Sequence, residues 1–176
     1  MNRMRKRRRQ GGSTLIETMV ATALMLVVSA GVMVLAVTSL ATSENQGHLA
    51  ARTSEYCQDK LEQLLALGFS DPASNTTTIP TSSSGGTGLT IGGSSNPSSP
   101  VTGYVDYLDI TGNILTVSGS TAPSGWYYVR VWSIAAGPAG ATNTKLITVT
   151  TQVDAPIGAV GAVPQSTVAA LKVNPF

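Results

Sequence analysis

Glu17 is the residue whose placement most needs a chemical reason. It follows a basic run (Arg3, Arg5, Lys6, Arg7, Arg8, Arg9) and the pair Gly11-Gly12. It precedes 26 uncharged residues from Thr18 to Ser43, rich in Val, Leu, Met and Ala. A carboxylate stranded in hydrocarbon costs up to ~2.5–3.5 kcal/mol, and less near the interface. A cationic amine beside it would offset that cost, and a place in the headgroup region would reduce it. The glycine pair is the second chemical opening, because a backbone without Cβ gives a peptidase unhindered approach.

No other residue set promises catalysis. His48, the one histidine, has no partner ligand nearby, and Cys57, the one cysteine, allows neither an intrachain disulfide nor zinc-type spacing. Cys57 reads as a small apolar contact on a helix. Asp106 and Asp109 alternate imperfectly along a strand, and two carboxylates alone are a weak signal. The sequence therefore predicts no enzyme, no metal site and no cofactor. Without residues 1–12, five basic residues face nine acidic ones, a formal balance of −4. A phosphate-binding surface is not expected on such a chain, and no nucleic-acid partner is predicted.

The element that positions Glu17 is the apolar segment. About 20 helical residues cross a bilayer core, so this run is long enough to span. Arginines before it place the N-terminus in the cytoplasm and send the rest outward, as a single-pass protein of the inner (cytoplasmic) membrane. Three processing schemes compete. One is an uncleaved signal anchor; another is an ordinary signal peptide cut after Val28-Ser29-Ala30. In the third, the cut falls between Gly12 and Ser13 and the whole helix stays on the mature protein.

The stretch GGSTLIET resembles the class III signal of type IV pilins and type II secretion pseudopilins. Gly12, Thr14, Leu15, Ile16 and Glu17 match its form, and Gly11 completes the glycine pair. Glu17 falls fifth after a cut at Gly12, where the family keeps its acid. Ser13 stands where the family usually has phenylalanine. The resemblance implies removal of residues 1–12 by a membrane aspartyl protease, the prepilin peptidase, with methylation of the new Ser13 amine by the same enzyme. It also implies that Glu17 pairs with the amine of an adjacent subunit, so that pilin or pseudopilin subunits dock through their N-terminal helices.

The helix is expected to continue beyond the membrane. Residues 13–43 form its membrane and assembly half, and 44–69 an amphipathic half. Leu49, Tyr56 with Cys57, Leu61, Leu64 and Leu65 share one face, while Glu55, Asp59, Lys60 and Glu62 read as a solvated charge pattern. A helix over 14–67 would measure roughly 80 Å. Gly68 is the expected C-cap. Residues 70–103, rich in Ser, Thr and Gly, read as a loop draped over the head. Its Asn75-Thr76-Thr77 triplet reads as a chance match to a glycosylation acceptor.

Strands are expected at 104–110, 114–117, 126–134 and 145–153, within an antiparallel head spanning 104–176. In the third, Tyr127, Val129, Val131 and Ser133 point one way and Tyr128, Arg130 and Trp132 the other. Residues 154–176 read as a weakly structured tail or one short edge strand. The aromatic residues read as core and cross-strand packing rather than a ligand platform. The predicted fold is α+β, a long N-terminal helix on a small antiparallel sheet, as in type IV pilins.

The polar loop and the Trp-Tyr-Tyr-Val-Arg-Val strand resemble minor pilins of the PilV type, which prime or modify a pilus. The single cysteine points away from a major pilin. A minor pseudopilin of type II secretion is the runner-up. A monomeric membrane-anchored binding protein is the third reading.

Overall fold

The computed structural model describes residues 15–76, 85–116, 119–138, 141, 143–154 and 163–174. Gly11, Gly12, Ser13 and Thr14 lie outside them. The chain divides into two compact units, residues 1–45 and 46–176. One helix, α1 (Leu15–Ala66, 52 residues), contributes to both.

In the first unit the residues Leu15–Leu40 average a hydropathy of 2.5 and none of them is buried. Polar side chains in this stretch turn inward. Thr18, Thr22, Ser29 and Thr38 each donate a hydroxyl proton to a carbonyl three or four residues earlier. A helix that satisfies its own backbone and most of its hydroxyls exposes mainly hydrocarbon beyond Glu17, as a bilayer requires.

In the second unit, the buried side chains of α1 are Thr53, Tyr56, Cys57, Lys60 and Leu64, spaced three and four apart. No proline interrupts the helix, and Pro72 follows its end. Gly68 does not adopt the left-handed conformation of a glycine cap. Two lysines from the sheet tie down the helix end and the loop beyond it instead. Lys172 donates to Leu65 O at 2.5 Å, and Lys145 to Phe69 O at 2.6 Å and Leu89 O at 2.8 Å.

The sheet comprises β1 (Gly92–Gly93), β2 (Val105–Leu108), β3 (Ile114–Leu115), β4 (Tyr128–Ala136), β5 (Thr144–Val153) and β6 (Gln165–Val173). Its order is β3-β2-β4-β5-β6, with β1 also on β4, and every pairing is antiparallel. The face carrying Trp132 and Ile134 of β4 and Ile147 and Val149 of β5 packs on Cys57 and Leu64, with Leu61 and Leu65 beside them. Nearer the start of the head, Leu108, Tyr128 and Val153 enclose Tyr56, with Leu49 against them. On the opposite face Val105, Tyr107, Val129 and Val131 pack together with Trp126. The architecture is α+β, a long N-terminal helix whose head half packs on a six-stranded antiparallel sheet, consistent with a type IV pilin-like fold.

Besides the Gly68 cap, three sequence expectations change. The carboxy-terminal strand β6 is nine residues long rather than a short edge. Its sequence, Gln-Ser-Thr-Val-Ala-Ala-Leu-Lys-Val, has only moderate strand propensity. Continuous pairing with β5 overrides that. Residues 70–103 are tethered in part, since Leu89 is fully buried and Gly92 and Gly93 pair with β4. Gly93, at φ +82°, is needed there: a Cβ would collide with the Trp132 carbonyl and the Tyr104 ring. Lys60 is not part of a solvated face; its side chain is fully buried.

Candidate functional site

Two sites emerge, one in each unit. In the first, Leu15, Ile16 and Glu17 occupy the opening turn of α1. Glu17 is exposed, as are Leu15 (80%) and Ile16 (70%). A carboxylate in the first turn interacts favourably with the unpaired N–H groups and the positive end of the helix dipole. The same turn presents Leu and Ile to the surroundings, so the acid is flanked by hydrocarbon on a helix without tertiary cover.

The second site is an ionic cluster beneath the head's polar loop. Asp106 on β2 lies opposite Arg130 on β4. Its Oδ2 accepts from Arg130 Nη2 at 2.8 Å and Nε at 3.1 Å, and from Lys60 Nζ at 2.8 Å. Arg130 Nη1 donates to Asp59 Oδ2 at 3.0 Å and to Tyr56 O at 3.1 Å. Lys60 Nζ also donates to Thr76 O and lies 4.0 Å from the centroid of the Trp132 ring. The side chains of Lys60, Asp106 and Arg130 are all fully enclosed, and Asp59 is half exposed. Two positive and two negative groups balance formally. The cations and Asp106 Oδ2 are compensated by short, charge-assisted contacts, while Asp106 Oδ1 is buried without a hydrogen-bond partner among the described residues.

Burial outweighs the neighbouring Asp106 carboxylate at Lys60 and lowers its pKa from 10.5 to about 8. Such an amine would be a nucleophile if a substrate could reach it, but its side chain is fully buried. The cluster joins the helix (Asp59, Lys60), the sheet (Asp106, Arg130) and the loop (Thr76). It acts as a clamp.

The sequence paired Asp106 with Asp109, and the structure gives them separate duties. Asp109 is partly exposed in the turn between β2 and β3. There its carboxylate accepts from the amides of Thr111 and Asn113 and from both their side chains. The Thr111 hydroxyl and the Asn113 amide contribute most to lowering its pKa to about 2. Cys57 is buried, with its thiol toward Thr151 Oγ1 and the Ser166 carbonyl, and desolvation raises its pKa. His48 is exposed on α1.

The aromatic residues contact one another. Tyr56 meets Tyr128 edge-on at 5.0 Å, Tyr107 meets Trp126 at 5.5 Å, and Trp132 is fully buried. Strand alternation had already set Arg130 on the Tyr128/Trp132 side. An arginine between two aromatic residues on an inward face was the signal that a buried acid must oppose it.

Comparison with protein families matches residues 7–33 to the prokaryotic N-terminal methylation motif. This class III signal, followed by an apolar helix, supports a type IV pilin- or pseudopilin-like precursor. It implies processing by prepilin peptidase and anchoring in a membrane. No curated protein and no solved structure matches the chain.

Proposed function

We propose that this chain is a minor type IV pilin of the PilV type, a structural subunit that is incorporated into a pilus or primes one. The observation that carries the proposal is the methylation motif over residues 7–33, with Glu17 in the first turn of an apolar helix. In this reading the peptide bond between Gly12 and Ser13 is hydrolysed by prepilin peptidase at the cytoplasmic side, and the Ser13 amine is methylated. That amine remains cationic after one methylation. It neutralises Glu17 of an adjacent subunit and fixes the axial register between helices. The head lies on the periplasmic or extracellular side, and the chain acts as a peptidase substrate, not as an enzyme.

The second reading, a minor pseudopilin of type II secretion, shares every feature named so far; the Trp-Tyr-Tyr-Val-Arg-Val strand and the polar loop favour the pilin. A monomeric binding protein is less well supported, because Tyr104, Tyr107, Tyr128 and Trp132 are all buried.

The decisive measurement is the intact mass of the protein from cells that make it. A chain starting at Ser13 with one added methyl group is expected. A chain starting at Gly31 would overturn the proposal.

A further inference from the structure

The backbone of α1 is protected in two different ways along its length. Leu15–Leu40 carries no charge after Glu17, and the hydroxyls of Thr18, Thr22, Ser29 and Thr38 bond its own carbonyls. In a bilayer, a backbone bond that opened there would find no water to replace it. Between residues 53 and 64 the helix buries Thr53, Tyr56, Cys57, Lys60 and Leu64, so opening there would expose the core of the head. The stretch between these two is Thr42-Ser43-Glu44-Asn45-Gln46-Gly47-His48.

This stretch has neither protection. It is too polar for hydrocarbon, with Glu44 near its centre. Nor does the head cover it. Ser43, Glu44, Gln46, Gly47 and His48 are exposed, and a Cβ on Gly47 would meet no atom within 4 Å outside its own turn of helix. The composition is also poor for a helix. Threonine, serine and asparagine side chains offer the backbone competing hydrogen bonds, and glycine gains the most freedom when a helix opens. Only Glu44 and Gln46 are strong helix formers. So short a stretch is not stable as a helix in water by itself, and the turns on either side must hold it. The boundary between the two compact units, after Asn45, falls inside it.

We infer that residues 43–48 are a joint built into α1, a stretch whose helix opens locally while the apolar unit and the head stay folded. Water takes up the amides and carbonyls released there, and no buried contact is lost. Opening uncouples the two units, so that each docks by its own surface. The joint follows from cover and composition alone and is independent of the filament reading above.

The test is hydrogen–deuterium exchange, read by mass spectrometry on the full-length chain in lipid nanodiscs. Protection over residues 43–48 should be lower by about tenfold or more than over 18–38 and over 53–64. Ser43→Ala with Gly47→Ala places two strong helix formers in open space, and should slow exchange over 43–48 by about tenfold. Gly31→Ala is the control. A Cβ there also meets no atom within 4 Å outside its own turn, but the position lies outside the joint, so exchange over 43–48 should not move. Equal protection along the whole of α1 overturns the inference. Fast exchange that spreads through 53–64 does so too, because it reports unfolding of the head rather than a joint. The inference also fails if the double alanine variant leaves exchange over 43–48 unchanged, or if Gly31→Ala slows it as much.

Discussion

The two units place charge in opposite ways. Residues 15–40 hold one charged group, Glu17, at the opening of an otherwise apolar helix with no side chain covered. The head encloses Lys60, Asp106 and Arg130 at its centre, with hydrophobic residues around them. In the first unit the costly group has no partner among the described residues; in the second it is paired within. On the proposed function the first is an assembly signal, while the second is a clamp that holds the head together by itself.

The comparison breaks most visibly at Glu17. Glu17→Ala should abolish incorporation into filaments, read as loss of the chain from sheared pili, while the head's unfolding transition stays in place. Asp106→Ala should do the reverse at the head. It leaves Lys60 and Arg130 buried against each other, a loss of about 3–5 kcal/mol, measured by denaturant unfolding of the detergent-solubilised chain.

Alkaline titration sharpens the contrast further. Lys60 has a folded pKa of about 8 against 10.5 in the unfolded chain, so between these values the unfolded state binds more protons. Stability should therefore rise as pH climbs from about 8 to 10.5, by roughly 3 kcal/mol at most. Lys60→Met should remove most of the rise, leaving a smaller part from Lys172, whose pKa burial also lowers. Above pH 10 the trend should turn, because burial raises the phenol pKa values of Tyr56, Tyr107 and Tyr128 and the folded state then holds more protons. The smallest effect is expected at the exposed pair Arg52–Glu55, 3.1 Å apart. Arg52→Ala should cost about 0.5 kcal/mol or less in the same unfolding assay.

Legibility in the sequence follows the range of the interactions. The membrane half is decided by neighbours within four residues, and its apolar run and missing charges are visible to the eye. The strands β4 and β5 also declare themselves, through β-branched and aromatic residues in alternation. The strand β6 does not, because alanine, serine and flanking prolines conceal a segment whose pairing lies across the chain. The Gly92–Gly93 strand is invisible for a similar reason: two glycines pair only because Tyr104 and Trp132 leave no room for a side chain. The ionic cluster was half legible. Asp59 and Lys60 fit a solvated helix face by spacing, and only the register of β2 on β4 brings Asp106 to Arg130, with Lys60 on the same carboxylate oxygen.

The shared direction of α1 and β6 has a mechanical consequence. A pull on the head along its helix is passed sideways to strands lying along the line of force, through Thr53 to Ser166 and through Leu65 to Lys172. The ladder bonds between β4, β5 and β6 lie across that line. They are loaded in shear, so many must fail together rather than unzip one at a time. Such a head withstands traction along its own helix and yields most readily to peeling from the rim at β6.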